Sequence, residues 1–121
     1  RGTPLGIVKV SNCSVVTSGN YERFFEVGGK RYHHIFDPHS GYPAESGLLS
    51  ATIVSQTSID GDALSTTLYI LGKEEGLAFI ERIPGVEALV VTEEKKIYAT
   101  SGMSKIFRLI KGKGYIYEEG K

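Results

Sequence analysis

The spacing of apolar residues changes near residue 60, and this change limits the fold of the chain more than any other feature. Before it, short segments rich in valine, isoleucine and threonine are typical of β-strands. After it, apolar and small residues recur every three or four positions, which predicts an α-helix with Asp60 as its N-cap and Gly72 at its end. The recurring residues are Ala63, Leu64, Thr67, Leu68 and Leu71. Strands and helices in separate stretches indicate an α+β fold.

The remaining segments predict a sheet and a second helix. Gly28 and Gly29 are predicted to form a tight turn between two strands, because both glycines can adopt positive φ. A second helix is predicted over residues 74–83, ending at Pro84 and Gly85. We therefore expect a mostly antiparallel sheet with two helices packed on it. The predicted strands are residues 5–10, 14–18, 23–27, 30–36, 48–56, 86–92 and 96–100, with at least one more within 104–117.

Length and charge narrow the classes of function. The 121 residues are enough for one domain, so residues 1–121 are expected to form a single domain. Fourteen basic and fourteen acidic residues cancel, which argues against a nucleic-acid-binding role. The single Cys13 has no second cysteine with which to form a disulfide or a paired metal site. Because the chain begins with Arg1, we expect a processed product or a piece of a longer protein.

All three histidines lie close together in the chain, next to an aspartate. His33 and His34 would point to opposite faces of a strand, so only one of them can face a given site. His34 lies just before Asp37, which begins a loop and could orient the imidazole or share a phosphate-binding pocket with it. Asp37 could equally cap the turn at Pro38. Zinc binding by His34, Asp37 and His39 is a weaker alternative, because their spacing is not a strong zinc pattern.

Asp62 and Thr66 form the second candidate site. An i, i+4 pair projects from one side of a helix with Cβ atoms about 6 Å apart, so both side-chain oxygens could reach one cation. Oxygen ligands of this kind suit Mg²⁺ or Ca²⁺ rather than zinc. The alternative is structural, with Asp62 complementing the helix dipole and Thr66 packing against its neighbours.

Thr17, Ser18 and Gly19 form a third motif at the end of a predicted strand, where two hydroxyls could meet a ligand or simply form part of a turn. Taken in order, the three motifs resemble the C-terminal part of the ApbE family, the FAD:protein FMN transferases. The resemblance covers essentially the whole chain, and three ordered motifs are more specific than any one alone. The stretches that carry it are residues 17–23, 29–43, 60–66 and 71–72.

The resemblance implies a reaction and its cofactors. Enzymes of this family transfer the FMN half of FAD to a Thr or Ser hydroxyl of a target protein, depend on Mg²⁺ and release AMP. The resemblance implies that Asp62 and Thr66 ligate the metal. The bound ion would neutralise the pyrophosphate and assist the departure of AMP.

The resemblance also assigns roles to the other two motifs. His34 would act as a catalytic base or position the reacting phosphate, and Asp37 would shape that site. Thr17 and Ser18 would line the flavin nucleotide pocket, which His34 also contacts. The family position before the metal-binding aspartate usually holds alanine, whereas this chain has Gly61, which could loosen the first helical turn.

Family members are much longer than this chain, and their N-terminal half, which forms much of the FAD pocket, is absent from it. We therefore expect the 121 residues alone to bind FAD and Mg²⁺ weakly and to have little transferase activity, unless the missing half or a partner chain completes the pocket. The alternative functions are a non-catalytic flavin-binding or interaction module and an FAD pyrophosphatase that uses water in place of the hydroxyl. The sequence names neither the target protein nor the compartment; the resemblance implies an extracytoplasmic, membrane-anchored lipoprotein.

Overall fold

The computed structural model describes residues 4–19, 23–36, 44–56, 58–110 and 114–118. Within these residues the chain forms seven strands, two α-helices and one short 3₁₀ helix. The helices pack on a mostly antiparallel sheet, so the expected α+β fold is confirmed. The elements are β1 (Pro4–Gly19), β2 (Arg23–Phe36), β3 (Leu48–Ser55), α1 (Ser58–Leu71), α2 (Lys73–Glu81), β4 (Glu87–Thr92), β5 (Lys96–Ala99), the 3₁₀ helix (Met103–Lys105), β6 (Phe107–Leu109) and β7 (Ile116–Glu118).

The sheet is built around β1, which pairs with three other strands. The strand order is β2-β1-β3-β4-β5-β7, and β6 also pairs with β1. All pairings are antiparallel except the one between β5 and β7. β3 pairs with the end of β1 at residues 14–19, whereas β6 pairs with its start at residues 6–8. The long first strand therefore joins β2, β3 and β6, and β4, β5 and β7 extend the sheet from β3.

Two hydrophobic clusters cover the two faces of the sheet. Under the helices, Leu68 of α1 and Ile80 of α2 are fully buried against β3 and β4. Burial of one such side chain contributes about 1.5–3 kcal/mol to the free energy of unfolding. The cluster under the helices contains Leu48, Ala51, Ile53, Leu68, Ile80, Ala88 and Val90. The cluster on the other face contains Leu5, Val8, Val10, Val15, Ile35, Val54, Leu89, Val91, Ile97, Ala99, Met103 and Phe107.

β1 and β2 are each one continuous strand, so the prediction of four short strands with a turn at Gly28 and Gly29 is wrong. One residue of β1, Asn12, lies opposite these two glycines, which makes a β-bulge and shifts the register. Asn12 and Gly29 both have positive φ, 53° and 67° respectively. The Gly29 N–H donates a hydrogen bond to Asn12 Oδ1 at 3.2 Å. Two adjacent glycines can form either a turn or a bulge, and here Asn12 on the neighbouring strand determines that they form a bulge.

The interruption of β1 at Asn12 determines which of its side chains face the helices. Successive strand residues normally point to opposite faces, and the backbone of Asn12, with its φ of 53°, breaks this alternation and exchanges the two sets. Before Asn12, the even-numbered Val8 and Val10 lie in the cluster away from the helices; after it, the odd-numbered Val15 does. The even-numbered Ser18 therefore faces α1.

The two helices agree closely with the sequence pattern. α1 begins at Ser58, so the prediction of Asp60 as N-cap is wrong: Asp60 lies within the first turn, where an acidic side chain also complements the helix dipole. Gly72 has a φ of 93° and donates its N–H to the Leu68 carbonyl at 3.0 Å, which confirms it as the end of α1. α2 ends at Glu81, before the predicted boundary at residue 83. Among the described residues, no helix is long and apolar enough to cross a membrane.

Candidate functional site

The first turn of α1 lies directly on the sheet at Gly61. This glycine is buried, and a Cβ atom built on it would stand 2.9 Å from Val16 Cγ2 and 3.1 Å from Ser55 Oγ. Carbon atoms in contact normally lie about 3.5–4.0 Å apart, so a side chain here would push the helix away. Gly61 therefore allows α1 to approach β1 and β3 closely, which is a different role from the loosening expected from its position in the first turn.

A chain of buried hydroxyls connects β1 with the same turn of α1. Ser18 Oγ and Ser65 Oγ lie 2.8 Å apart, and Ser65 Oγ donates a hydrogen bond to the Asp62 carbonyl oxygen at 3.1 Å. Ser65 is 0% exposed and Ser18 is 3% exposed. A serine hydroxyl carries a single proton, so a Ser65 that donates to Asp62 must accept from Ser18. The hydrogen bonds thus run from Ser18 through Ser65 to the main chain of Asp62.

The side chains of Asp62 and Thr66 are both exposed, one helical turn apart on α1. At 3.6 residues per turn, they project within about 40° of each other around the helix axis. Ile70, one turn further along, is also exposed, at 66%. Thr66 is therefore not a packed residue of the core, and the pair offers a carboxylate and a hydroxyl on the solvent side of the helix. These two hard oxygen donors fit Mg²⁺, which also binds water and phosphate oxygens.

Thr17 and Ser18 lie on opposite faces of β1. The Thr17 hydroxyl lies 2.9 Å from Thr52 Oγ1 on β3, across the strand pair. The Ser18 hydroxyl points the other way, to Ser65. Contact of Thr17 and Ser18 with a flavin stays a prediction. A ligand group that lies on one face of the sheet cannot contact both hydroxyls, because they point to opposite faces.

The two adjacent histidines on β2 differ in exposure, as their alternation predicts. His33 is half-buried and His34 is exposed. Burial, and secondarily the charge of His34, hold the pKa of His33 below its ordinary value of 6.5. His34 pairs with Ile7 on β1, far along that strand from Ser18. The described strands therefore place the metal-binding candidates and His34 toward different ends of the β1–β2 ribbon.

Asp37 and His39 lie outside the described residues, so the predictions for Asp37 and for a zinc site stay untested. In the part of the chain that the structure describes, no three His, Cys, Asp or Glu side chains come together as a metal-binding group. The Asp62–Thr66 pair differs from such a group because one of its donors is a hydroxyl. Its remaining ligands would have to come from water, from phosphate or from other protein groups.

A cavity of about 350 Å³ lies beside the start of α1. Its lining is mostly apolar and includes the exposed carboxylate of Asp60. At about 100° per residue, Asp60 and Asp62 point to nearly opposite sides of the helix. The cavity is thus separate from the Asp62–Thr66 pair. It is lined by Ser55, Gln56, Asp60, Ala63, Leu64, Ile83, Pro84, Gly85 and Val86.

Comparison with known proteins decides the family. A model of the ApbE family matches residues 1–90. The chain belongs to the ApbE family. The resemblance based on the three motifs is thereby confirmed.

The relatives of this ApbE-family chain include several proteins of one name. The FAD:protein FMN transferase of Treponema pallidum (strain Nichols) is 45% identical over 107 residues, which make up 88% of this chain and 30% of that protein. The FAD:protein FMN transferase of Klebsiella pneumoniae (strain 342) is 45% identical over 97 residues, 80% of this chain and 31% of that protein. The ApbE-family chain thus spans about 30% of the length of these relatives.

Solved structures agree with the fold of the ApbE-family chain. The flavin transferase ApbE from Vibrio cholerae superposes with a TM-score of 0.55 at 30% sequence identity, covering 78% of this chain and 30% of that one. The apo form of the Pseudomonas stutzeri flavinyl transferase ApbE superposes with a TM-score of 0.57 at 34% identity, covering 84% of this chain and 31% of that one.

Sequence reasoning about this ApbE-family chain missed one residue of the site, Ser65. The helical pattern carried a signal for it, because Gly61, Ser65 and Leu68 lie at spacings of four and three and are all buried on the sheet side of α1. A hydroxyl on that side must find a partner. Ser18 could not be identified as that partner from the sequence, since their contact depends on how α1 packs on β1.

Proposed function

We propose that this chain contributes the metal-binding helix of an FAD:protein FMN transferase. The observation that carries this proposal is the exposed Asp62–Thr66 pair, on a helix that Gly61 and Ser65 place against the sheet. Membership of the ApbE family and the names of the relatives support the same reaction. FAD would be the substrate, and a Thr or Ser hydroxyl of a target protein would be the acceptor.

In this reaction one bond to phosphorus is exchanged for another. The acceptor oxygen attacks the phosphorus of the FMN half of FAD, and the bond from that phosphorus to the AMP phosphate breaks. AMP leaves with the electron pair, and the proton of the acceptor hydroxyl passes to a base. Catalysis of such a transfer consists mainly of aligning the groups and neutralising the phosphate charge.

Asp62 and Thr66 would hold Mg²⁺ through the carboxylate and the hydroxyl. When bound, the ion supplies positive charge next to the pyrophosphate. The chain itself supplies the placement, because Asp62 lies in the part of α1 that Gly61 seats on β1. Two protein ligands leave coordination positions for phosphate oxygens and water, as is usual for Mg²⁺ with a phosphate substrate.

His34 is our candidate for the base, with Asp37 shaping the same site. An imidazole can accept a proton near neutral pH, and the His34 side chain is exposed. Since His34 pairs far along β1 from Ser18, its contribution has to be tested separately from that of the metal ligands. Replacement of His34 by Gln should lower the rate of transfer more than it weakens Mg²⁺-dependent binding of FAD.

The test is calorimetric titration of FAD, with and without Mg²⁺, into the chain as it occurs in its natural protein. Asp62→Ala should abolish the part of the binding that depends on Mg²⁺. Asp60→Ala is the matched control, because Asp60 is an exposed aspartate in the same part of α1 that points to another side. Equal Mg²⁺-dependent binding by both variants would contradict the metal site.

Product analysis distinguishes this proposal from the two alternatives. Flavin covalently attached to a protein Thr or Ser identifies a transferase. Free FMN together with AMP identifies an FAD pyrophosphatase, in which water replaces the hydroxyl. Binding without either product identifies a non-catalytic flavin-binding or interaction module.

We also propose that the 121 residues alone bind FAD more weakly than the longer relatives do. The Asp62 and Thr66 side chains are exposed, so in these residues a bound phosphate would stay in contact with water on one side. The same titration on the isolated 121 residues measures this difference. An extracytoplasmic, membrane-anchored location, which the family resemblance implies, stays part of the proposal and is checked by fractionation of cells that produce the protein.

A further inference from the structure

The buried hydroxyl pair of Ser18 and Ser65 lies directly behind the proposed metal ligands. Ser65 is the residue before Thr66, and its hydroxyl donates to the Asp62 carbonyl at 3.1 Å. In an α-helix the same carbonyl accepts the N–H of the residue four positions on, which here is Thr66. One oxygen atom, the Asp62 carbonyl, thus connects both metal-ligand candidates with Ser65.

Ser18 extends this connection to the sheet. Its Oγ lies 2.8 Å from Ser65 Oγ, and it occupies the end of β1, paired with Ala51 on β3. Since Ser65 is 0% exposed and Ser18 is 3% exposed, water does not replace either partner. Buried hydrogen bonds in series also polarise and strengthen one another. The hydrogen-bonded pair therefore fixes the position of the first turns of α1 along the direction of β1.

Gly61 determines the distance between α1 and the sheet, and the serine pair determines the position of α1 along β1. Gly61 sets how closely the helix approaches Val16, through steric contact. Steric contact with an apolar methyl group resists approach but does not prevent sliding along the strand. A hydrogen bond is directional and weakens steeply when its geometry changes, so the Ser18–Ser65 bond resists that sliding.

We infer that Ser65, through its hydrogen bond with Ser18, is a positioning residue that sets the place of Asp62 and Thr66 relative to the end of β1. This inference rests on the proposed function, since it concerns the same metal-binding pair. Groups behind metal ligands are known to matter in this way, and their replacement typically weakens metal affinity about 10- to 100-fold. Because Ser65 acts through the main chain, the lower end of this range applies.

The experiment measures the affinity of the natural protein for Mn²⁺ by electron paramagnetic resonance, with Mn²⁺ as a spin probe for Mg²⁺. Ser65→Ala and Ser18→Ala should each weaken Mn²⁺ binding about tenfold. The double variant should bind no more weakly than either single one, because each change breaks the same connection. Ser65→Cys replaces only the oxygen, by a larger sulfur that donates a weaker hydrogen bond, and should also weaken binding.

Thr67→Ala is the matched control. The Thr67 hydroxyl also bonds to a carbonyl of α1, that of Ala63 at 2.9 Å, but this bond stays within the helix. Its loss should leave Mn²⁺ affinity unchanged. A purely structural role of Ser65 would lower the unfolding temperature without changing Mn²⁺ affinity in the folded protein.

The outcomes separate this inference from the proposed function. If Asp62→Ala abolishes Mn²⁺ binding while the serine variants bind like Thr67→Ala, the positioning role is wrong and the metal site stands. If Asp62→Ala leaves Mn²⁺ binding unchanged, or the wild-type protein binds no Mn²⁺, the metal site and the positioning role both fail. If Ser65→Ala does not fold, Mn²⁺ binding by the Ser18→Ala, Ser65→Ala double variant tests the inference instead. The double variant should fold more readily, because it leaves no buried hydroxyl without a partner.

Discussion

Two regions of the molecule position their candidate residues in different ways. One is the contact of α1 with the sheet at Gly61, Ser18 and Ser65, called the seat here, and the other is the pair of strands β1 and β2, called the ribbon. At the seat, Gly61 removes the space between helix and strand, and two buried hydroxyls join them. Along the ribbon, β2 has β1 as its one partner among the described strands, and the pair is interrupted by the bulge at Asn12. Tyr32 on β2 is 63% exposed. The metal-ligand candidates thus lie on a closely packed helix, and His34 lies on a strand that pairs, among the described strands, with β1 alone.

This difference has a functional meaning within the proposed reaction. A metal site requires its ligands at fixed places, which a buried and hydrogen-bonded seat provides. A base that accepts the proton of a protein hydroxyl has to admit a large second substrate, and an exposed strand edge leaves room for one. Mutations in either region should therefore affect one region without the other.

The largest expected effect comes from Gly61→Ala in the seat. In most helix positions this change stabilises a protein by up to about 1 kcal/mol. Here the new methyl group would lie 2.9 Å from Val16 Cγ2, so we expect the free energy of unfolding to fall by about 1–2 kcal/mol instead. Urea denaturation measures it. Val16→Ala removes the opposing methyl group. In that background, Gly61→Ala should lower the free energy of unfolding by less than it does in the wild-type protein. If the effects of the two substitutions on the free energy of unfolding are additive, the contact is unimportant.

A smaller effect is expected from Gly29→Ala in the ribbon. Gly29 has a φ of 67°, where a Cβ atom costs about 1–2 kcal/mol. Because the edge ribbon can adjust, we expect a loss of about 1 kcal/mol, measured by the same denaturation and without change in Mg²⁺-dependent FAD binding. Gly28→Ala is the control: a Cβ there would meet only Asn12 Oδ1, at 3.8 Å, so stability should hardly change. Weaker Mg²⁺-dependent binding in Gly29→Ala would show that the two regions are coupled.

The smallest effect concerns the pH dependence contributed by His33. Burial, followed by the charge of His34, keeps its pKa in the folded state below the ordinary 6.5. As pH falls through about 6.5, the unfolded chain therefore takes up a proton before the folded one does, and the free energy of unfolding decreases until the folded-state pKa is passed. Above about pH 7.5 both states are neutral at His33 and this contribution is absent. His33→Gln should remove that part of the acid destabilisation, and an unchanged difference from wild type at every pH would contradict it.

The elements that follow from local spacing were predictable from the sequence. The helical repeat after Asp60 located α1 to within two residues at its start, and Gly72 marked its end. The strands β4 and β5 were predicted in the same way, from the apolar segments at residues 86–92 and 96–100. The Asp62–Thr66 pair followed directly from helical geometry, and both side chains are exposed as a ligand site requires.

The elements that depend on a distant partner were not predictable. Gly28 and Gly29 have the composition of a hairpin turn, and only the Asn12 side chain on the neighbouring strand makes them a bulge. The partner of Ser18 is in a helix far along the chain, so the buried bond to Ser65 could not be predicted from the motif around Ser18. Local sequence patterns thus predicted secondary structure, but they did not predict contacts between segments that are far apart in the chain.

The central position of β1 has a consequence for which parts of the molecule open first. Residues 14–17 are paired with β2 on one edge and with β3 on the other, so backbone hydrogen bonds hold this stretch from both sides. Amide hydrogens in such a doubly paired segment exchange with solvent deuterium only in openings that approach global unfolding, whereas those at a sheet edge exchange through local fraying. Ser18 follows this stretch directly and is paired with Ala51 on β3. The anchor of the proposed metal-binding helix should therefore lie next to the last part of β1 to exchange.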